Sequence, residues 1–218
     1  MISDKVAIII PALNEQRTIL KVISGAKDYG TIIVVDDGSK DLTSEIAISA
    51  GAIVVTHKYN LGYDSALYSG FSKAKELNKE FIISIDADGQ HNTKDLENII
   101  KPLIEGESYF SIGDRGKSAR LSEFIFCFIA SRFFGINDIL CGLKGFHIDL
   151  FNKFGGIMTK KTIGTGLALK AAKAGFIPAQ IPINVKTRED SPRIGRILRA
   201  NWIIFKGMIS ALKNVIFS

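Results

Sequence analysis

Two aspartates one residue apart, followed by a glycine and an amide, close an apolar run: Phe81-Ile82-Ile83-Ser84-Ile85-Asp86-Ala87-Asp88-Gly89-Gln90. A β-branched run of this length reads as a buried strand. In open α/β sheets, ligands sit just beyond the carboxyl ends of the strands. Two carboxylates placed there repel each other unless a cation lies between them, and a hard divalent ion held by carboxylate and amide oxygens meets that need. The plainer alternative is a loop whose aspartates cap a helix beginning near Thr93-Lys94-Asp95.

The elements that position this pair follow from the pattern around it. Residues 6–10, 31–35, 52–57 and 81–85 read as strands, and residues 15–29, 42–50 and 65–77 as helices. Alternating strands and helices predict an α/β fold with a Rossmann-like, mostly parallel sheet and helices on both faces. Parallel strands put their carboxyl ends on one edge. Strand one runs into Pro11-Ala12-Leu13-Asn14-Glu15, strand two into Asp36-Asp37-Gly38-Ser39, and strand three is followed by Asn60-Leu61-Gly62. Four such loops on one edge describe a polar crevice able to grip base, ribose and phosphates of a nucleotide. No Gly-x-Gly-x-x-Gly follows the first strand and no Walker A sequence is present, which disfavours a dinucleotide fold and a P-loop enzyme.

The chain has 218 residues, enough to bury a real core, with a net charge of +6. That charge suggests an anionic partner: phosphorylated substrate, anionic lipid or nucleic acid. Nucleic acid fits poorly, because the basic residues are not interleaved with aromatics in one block and carboxylate-lined loops repel phosphate. A non-catalytic basic module binding membrane or nucleic acid is therefore the remote alternative to an enzyme. Cys127 and Cys141 lie among apolar residues without metal-ligand spacing, which points to reduced thiols and a cytoplasmic setting. The apolar run before Pro11 is too short for a signal-peptide core.

Five motifs in order resemble the inverting nucleotide-sugar glycosyltransferases of family 2, with the GT-A fold. They are Ile10-Pro11-Ala12-Leu13-Asn14-Glu15, Val34-Val35-Asp36-Asp37-Gly38-Ser39-Lys40-Asp41, Asn60-Leu61-Gly62 with Ala66 and Gly70-Phe71, Asp86-Ala87-Asp88-Gly89-Gln90-His91, and residues 138–146, Asp138-Ile139-Leu140-Cys141-Gly142-Leu143-Lys144-Gly145-Phe146. The last is most similar to the dolichyl- and polyprenyl-phosphate hexosyltransferase branch. The resemblance implies a nucleotide diphosphate sugar donor held by Pro11, Asn14, Glu15, Asp36, Asp37, Gly62, Asp86 and Arg188. It implies Mg²⁺ or Mn²⁺ at Asp86, Asp88 and Gln90, bridging the diphosphate. His91 reads as a bystander, with an additional metal ligand as the alternative.

Asp138 and Asp88 are the catalytic candidates. With a sugar hydroxyl as acceptor, Asp138 would be the general base. A phosphate acceptor is already ionised, and Asp138 would then orient it. Asp138 as the cap of a local turn remains the structural alternative. By resemblance, Arg115 meets the acceptor phosphate, with Arg120 and Arg132 as weaker candidates. The sequence departs from the family twice: residues 162–167 supply no acid, and Tyr63 stands where a lysine or arginine is common. The expected reaction is inverting transfer of a hexose, from a UDP-glucose or GDP-mannose type donor, to a lipid phosphate; a saccharide acceptor is the alternative.

Two segments raise the apolar content to 46% and the mean hydropathy to +0.18. Residues 121–136 are apolar nearly all round a helix of about 24 Å, short of a bilayer core of about 30 Å, so this segment is expected to be buried or interfacial. Residues 194–218 form an amphipathic helix in pattern, basic opposite an aromatic-rich face. The expected organisation is a GT-A domain over residues 1–193 and a C-terminal helix over 194–218, peripheral at the cytosolic membrane face or packed on protein. The oligomeric state is unknown from sequence.

Overall fold

The structure is a computed structural model that describes residues 2–116, 121–155, 163–185 and 208–209. Seven strands form one sheet in the order β3-β2-β1-β4-β6-β5-β7. They are β1 (Val6–Ala12), β2 (Thr31–Asp36), β3 (Ile53–Thr56), β4 (Phe81–Ser84), β5 (Phe110–Asp114), β6 (Lys144–His147) and β7 (Ala179–Pro182). The helices are α1 (Ile19–Ala26), α2 (Thr43–Ser49), α3 (Tyr63–Glu76), α4 (Asp95–Ile104), α5 (Leu121–Phe134), α6 (Ile148–Phe154) and α7 (Ile163–Lys173).

β1 to β4 are parallel, in registers such as Ile9 with Ile33 and Ile9 with Ser84. Val6 through Ile10 are fully buried, because both faces of this central strand are covered; that explains an unbroken apolar run instead of alternation. β6 runs antiparallel between β4 and β5. Its pleat shows the two layers. A Cβ at Gly145 would meet Leu103 of α4, while the next residue, Phe146, packs against Phe71 of α3. Phe71 also meets Phe151 of α6 edge-on. Helices therefore cover both faces, as the alternating pattern predicts.

The parallel block puts four loops on one edge, as the sequence implies. α1 begins later than expected, at Ile19, because Asn14 takes a left-handed φ of 50° and residues 15–18 form a turn. The boundary between residues 193 and 194 lies outside the described residues. Of the C-terminal apolar stripe, only Met208, which is buried, and Ile209, which is exposed, are described. Among the described residues no helix is long and apolar enough to cross a membrane.

Candidate active site

The loop after β1 is tied to the loop after β2 by backbone and side chain together. Asn14 N–H donates to Ser39 Oγ at 2.8 Å, and Asn14 Oδ1 accepts from Lys40 N–H at 2.7 Å. Glu15 N–H donates to Thr43 Oγ1 at 2.8 Å, and its buried carboxylate accepts from the Thr18 hydroxyl at 3.2 Å. Asp36 turns away from the crevice: it accepts from Ser39 N–H at 2.8 Å and from the Ser44 hydroxyl. It shapes the turn that presents Asp37.

Asp37 in turn organises the loop after β3. Its Oδ1 lies 2.7 Å from His57 Nδ1 and accepts from Leu61 N–H at 2.9 Å, while Oδ2 accepts from Gly62 N–H at 2.8 Å. Gly62 has φ +95°, a backbone that L side chains rarely adopt. A crevice of about 430 Å³ opens between these loops, lined by Pro11, Glu15, Asp37, Gly62, Asp86 and Asp88 among others. Six of the residues expected to hold donor or metal thus meet around one cavity. Asn14 and Asp36 brace its walls, and Arg188 lies outside the described residues.

Asp86 is the most constrained carboxylate of the crevice. Tyr63 donates its hydroxyl to Asp86 Oδ1 at 2.8 Å, and His91 Nε2 lies 3.5 Å from Oδ2. A Cβ at Gly142 would stand 2.1 Å from that same oxygen, so any larger residue there would displace the carboxylate. Burial works against ionisation of Asp86, but the hydrogen bond and charge of His91, the Tyr63 hydroxyl and Lys144 outweigh it and lower its pKa. Asp88 faces the same cavity and accepts from Gln90 N–H at 3.0 Å.

No group of three or more His, Cys, Asp and Glu side chains converges for a metal among the described residues. Asp86 and Asp88 line one cavity, and Gln90 follows two residues on in sequence. A small hard cation that keeps its waters and takes substrate phosphate oxygens is bound by one or two carboxylates, so this donor set fits Mg²⁺ or Mn²⁺ completed by a diphosphate. His91 is buried against Asp86, and its Nδ1 and Asp95 Oδ2 are both buried without a hydrogen-bond partner.

A second polar cluster lies beyond β5. Arg115 Nε and Nη2 donate to Asp138 at 2.6 and 2.8 Å, and Arg115 N–H adds a third bond at 3.2 Å. Burial raises the pKa of Asp138, yet the Arg115 hydrogen bonds and charge prevail and hold its carboxyl below the usual carboxylate range. The Asp138 hydrogen bond pushes the guanidinium pKa upward in return. A second cavity of about 650 Å³ opens here between Asp138, Asp114 and Asn137 on one side and Phe124, Phe128 and Ser131 of α5 on the other. Arg132 is exposed beside the Phe133 ring and does not reach the cavity; Arg120 lies outside the described residues.

Lys144 connects the two halves. Its side chain is buried, its ammonium donates to the Cys141 carbonyl, and its charge is felt by Asp86, Asp138 and Asp64. Burial lowers its pKa, and Cys141 and these three carboxylates oppose that. Asp64, at the start of α3, accepts from Gly164 N–H of α7 at 3.2 Å, so α3 supplies a carboxylate where the stretch 162–167 has none. Asp64 was not singled out by the sequence, and the partners of Tyr63, His91 and Lys144 could not be read from it. Gly142 and Lys144 lay inside a quoted motif, but their partners are remote in sequence.

The model of glycosyl transferase family 2 matches residues 7–126, more than half of the chain. An uncharacterized protein of Methanocaldococcus jannaschii, MJ1222, is 31% identical over 220 residues, 93% of this chain and 90% of its own. The UDP-N-acetylglucosamine–dolichyl-phosphate N-acetylglucosaminyltransferase of Methanococcus voltae is 34% identical over 68 residues, 31% of this chain and 27% of its own. Glucosyl-3-phosphoglycerate synthase from Mycobacterium tuberculosis, in complex with Mg²⁺ and uridine diphosphate, shares the fold with a TM-score of 0.78. Its identity is 21%, over 97% of this chain and 79% of that one. The chain belongs to glycosyl transferase family 2 and is a glycosyltransferase of the GT-A fold.

Proposed function

We propose that the enzyme transfers a hexose from a nucleotide diphosphate sugar, of the UDP-glucose or GDP-mannose type, to a polyprenyl or dolichyl phosphate with inversion. An acceptor phosphate oxygen forms the new bond to the anomeric carbon. The bond from that carbon to the donor diphosphate breaks, and the nucleoside diphosphate leaves with the electron pair. Mg²⁺ or Mn²⁺ held by Asp86, Asp88 and Gln90 would neutralise the diphosphate as it takes up that charge. The crevice walls at Pro11, Glu15, Asp37 and Gly62 hold and orient the nucleotide, so positioning carries much of the rate.

One observation carries the choice of acceptor. Asp138, the carboxylate on the acceptor side, is held in a two-point ion pair with Arg115 and kept below the usual carboxylate range. Such a carboxylate is a poor base for a sugar hydroxyl, whereas a phosphate needs no deprotonation. The pair also sets a guanidinium beside the second cavity, where a phosphate can share it. The acceptor of the Methanococcus voltae relative, dolichyl phosphate, agrees with this chemistry. A lipid acceptor makes the membrane surface the place of reaction, on the cytosolic face where nucleotide sugars are met.

The test is transfer of labelled hexose by the purified protein with Mn²⁺, offered polyprenyl phosphate in one reaction and saccharides in another. Label moving into the organic phase supports the proposal. Label moving only to saccharides, with Asp138→Asn inactive, establishes the base mechanism instead.

A further inference from the structure

The crevice at the ends of β1 to β4 is lined by acids without a base. Glu15, Asp37, Asp86 and Asp88 face it, and among the described residues no lysine, arginine or histidine lines it. The charge of Lys144 reaches Asp86, but its ammonium is buried and donates to the Cys141 carbonyl instead of entering the crevice. A diphosphate entering such a cleft meets charge of its own sign, focused by low-dielectric walls. The nucleotide is therefore admitted only in company with a cation. The residue beside Asp86 decides whether that cation is a fixed side chain or an ion.

Tyr63 is that residue. Gly62, at φ +95°, turns the chain into α3, and Tyr63 is the first residue of the helix. Its ring is half-exposed along the crevice, and its hydroxyl donates to Asp86 Oδ1 at 2.8 Å. A hydroxyl gives that carboxylate one hydrogen bond and no charge, and the oxygen keeps a lone pair for another partner. A lysine in the same place would pair with Asp86 and offer the diphosphate a fixed cation, weakening the carboxylate as a ligand and relieving the need for an ion. Position 63 is also one of the two at which the sequence departs from its family. We propose that Tyr63 makes nucleotide binding conditional on the divalent cation: it is a positioning residue that steadies Asp86 for Mg²⁺ or Mn²⁺ while adding no positive charge to the crevice. The inference rests on the nucleotide-sugar reading of the donor and is independent of the acceptor.

The experiment is calorimetric titration of the full chain with UDP and with GDP, in Mn²⁺ and in excess chelator. For the nucleotide that binds, Mn²⁺ should tighten wild-type binding by about 100-fold, and the nucleotide should tighten Mn²⁺ binding by the same factor. Tyr63→Phe removes only the hydroxyl. It should weaken Mn²⁺ binding in the presence of nucleotide about tenfold and leave nucleotide affinity in chelator unchanged, a split that general damage to the crevice would not produce. Tyr63→Lys should bind nucleotide in chelator about tenfold more tightly than wild type and gain correspondingly less from Mn²⁺. Wild type that binds nucleotide equally well in chelator, a phenylalanine variant with unchanged Mn²⁺ affinity, or a lysine variant with the wild-type Mn²⁺ enhancement would each overturn the proposal. Wild type that binds neither nucleotide in either condition would reject the donor reading itself, and the inference with it.

Discussion

Arg115 and Asp138 neutralise each other across a two-point contact of 2.6 and 2.8 Å, and Asp138 lines the second cavity. Two residues with separate sequence-level roles, phosphate binder and general base, are thus one unit. The carboxylate is nearly buried and the guanidinium about one quarter exposed, so an incoming anion can reach the arginine while the aspartate steadies it.

Arg115→Lys tests that geometry. Lysine keeps the charge but loses the planar fork that meets carboxylate and phosphate together. The expected outcome is a rise of about tenfold in KM for polyprenyl phosphate with little change in the donor KM. Equal changes in both would remove Arg115 from the acceptor side.

Gly142→Ala should leave the fold intact and damage the metal site. The new methyl would stand 2.1 Å from Asp86 Oδ2, so the carboxylate must move. Mn²⁺ affinity in the presence of nucleoside diphosphate should fall about 10- to 100-fold. Titration of the Mn²⁺ electron paramagnetic resonance signal reads this directly, and an unchanged affinity would mean that Asp86 is not a ligand.

His91 is expected to act through Asp86 rather than to touch the metal. His91→Ala should weaken Mn²⁺ binding by about tenfold, with His91→Gln, which keeps a nitrogen donor, partly restoring it. Loss of binding as complete as in Asp88→Ala would make His91 a direct ligand instead.

Asp64 gives the stability a pH dependence. Burial raises its pKa to about 6, against the Gly164 N–H and Lys144, which lower it. The folded chain therefore holds this proton more tightly than the unfolded one. The associated stability is fully present below about pH 4 and is lost as pH rises through about 6. Asp64→Asn removes the ionisation. It should unfold at higher denaturant than wild type at pH 7, by about 1–3 kcal/mol, and lose that advantage at pH 4. An advantage of equal size at both pH values would point to packing rather than charge.

The sequence carried the parallel half of the sheet and the crevice at its edge well. β1 to β4 are long apolar runs, and their parallel order alone gathers Pro11, Glu15, Asp37, Asp86 and Asp88 on one edge. The last three strands were hidden. Residues 110–114, 144–147 and 179–182 are short and carry glycine, lysine or proline, which strand patterns reject. Lys144 lies buried in β6, where Cys141 and the carboxylates Asp138, Asp86 and Asp64 only partly oppose the effect of its burial, and that cluster exists only after folding. The same holds for Tyr63 with Asp86 and for Asp64 with Gly164, pairs 23 and 100 residues apart. The exposure of α5 could not be read from sequence either, since a helix apolar all round has the same pattern whether buried or interfacial.

The most direct test of the account is the rate of Asp138→Asn with polyprenyl phosphate as acceptor. Asparagine keeps an oxygen to steady Arg115 but cannot take a proton. If the acceptor is a phosphate and Asp138 only orients the arginine, kcat should fall by no more than about tenfold, whereas loss of a general base costs about 10²–10⁴. A variant retaining a tenth or more of wild-type transfer into the lipid fraction is the predicted result. A variant that folds, binds donor and Mn²⁺ as wild type does, and transfers nothing would contradict it.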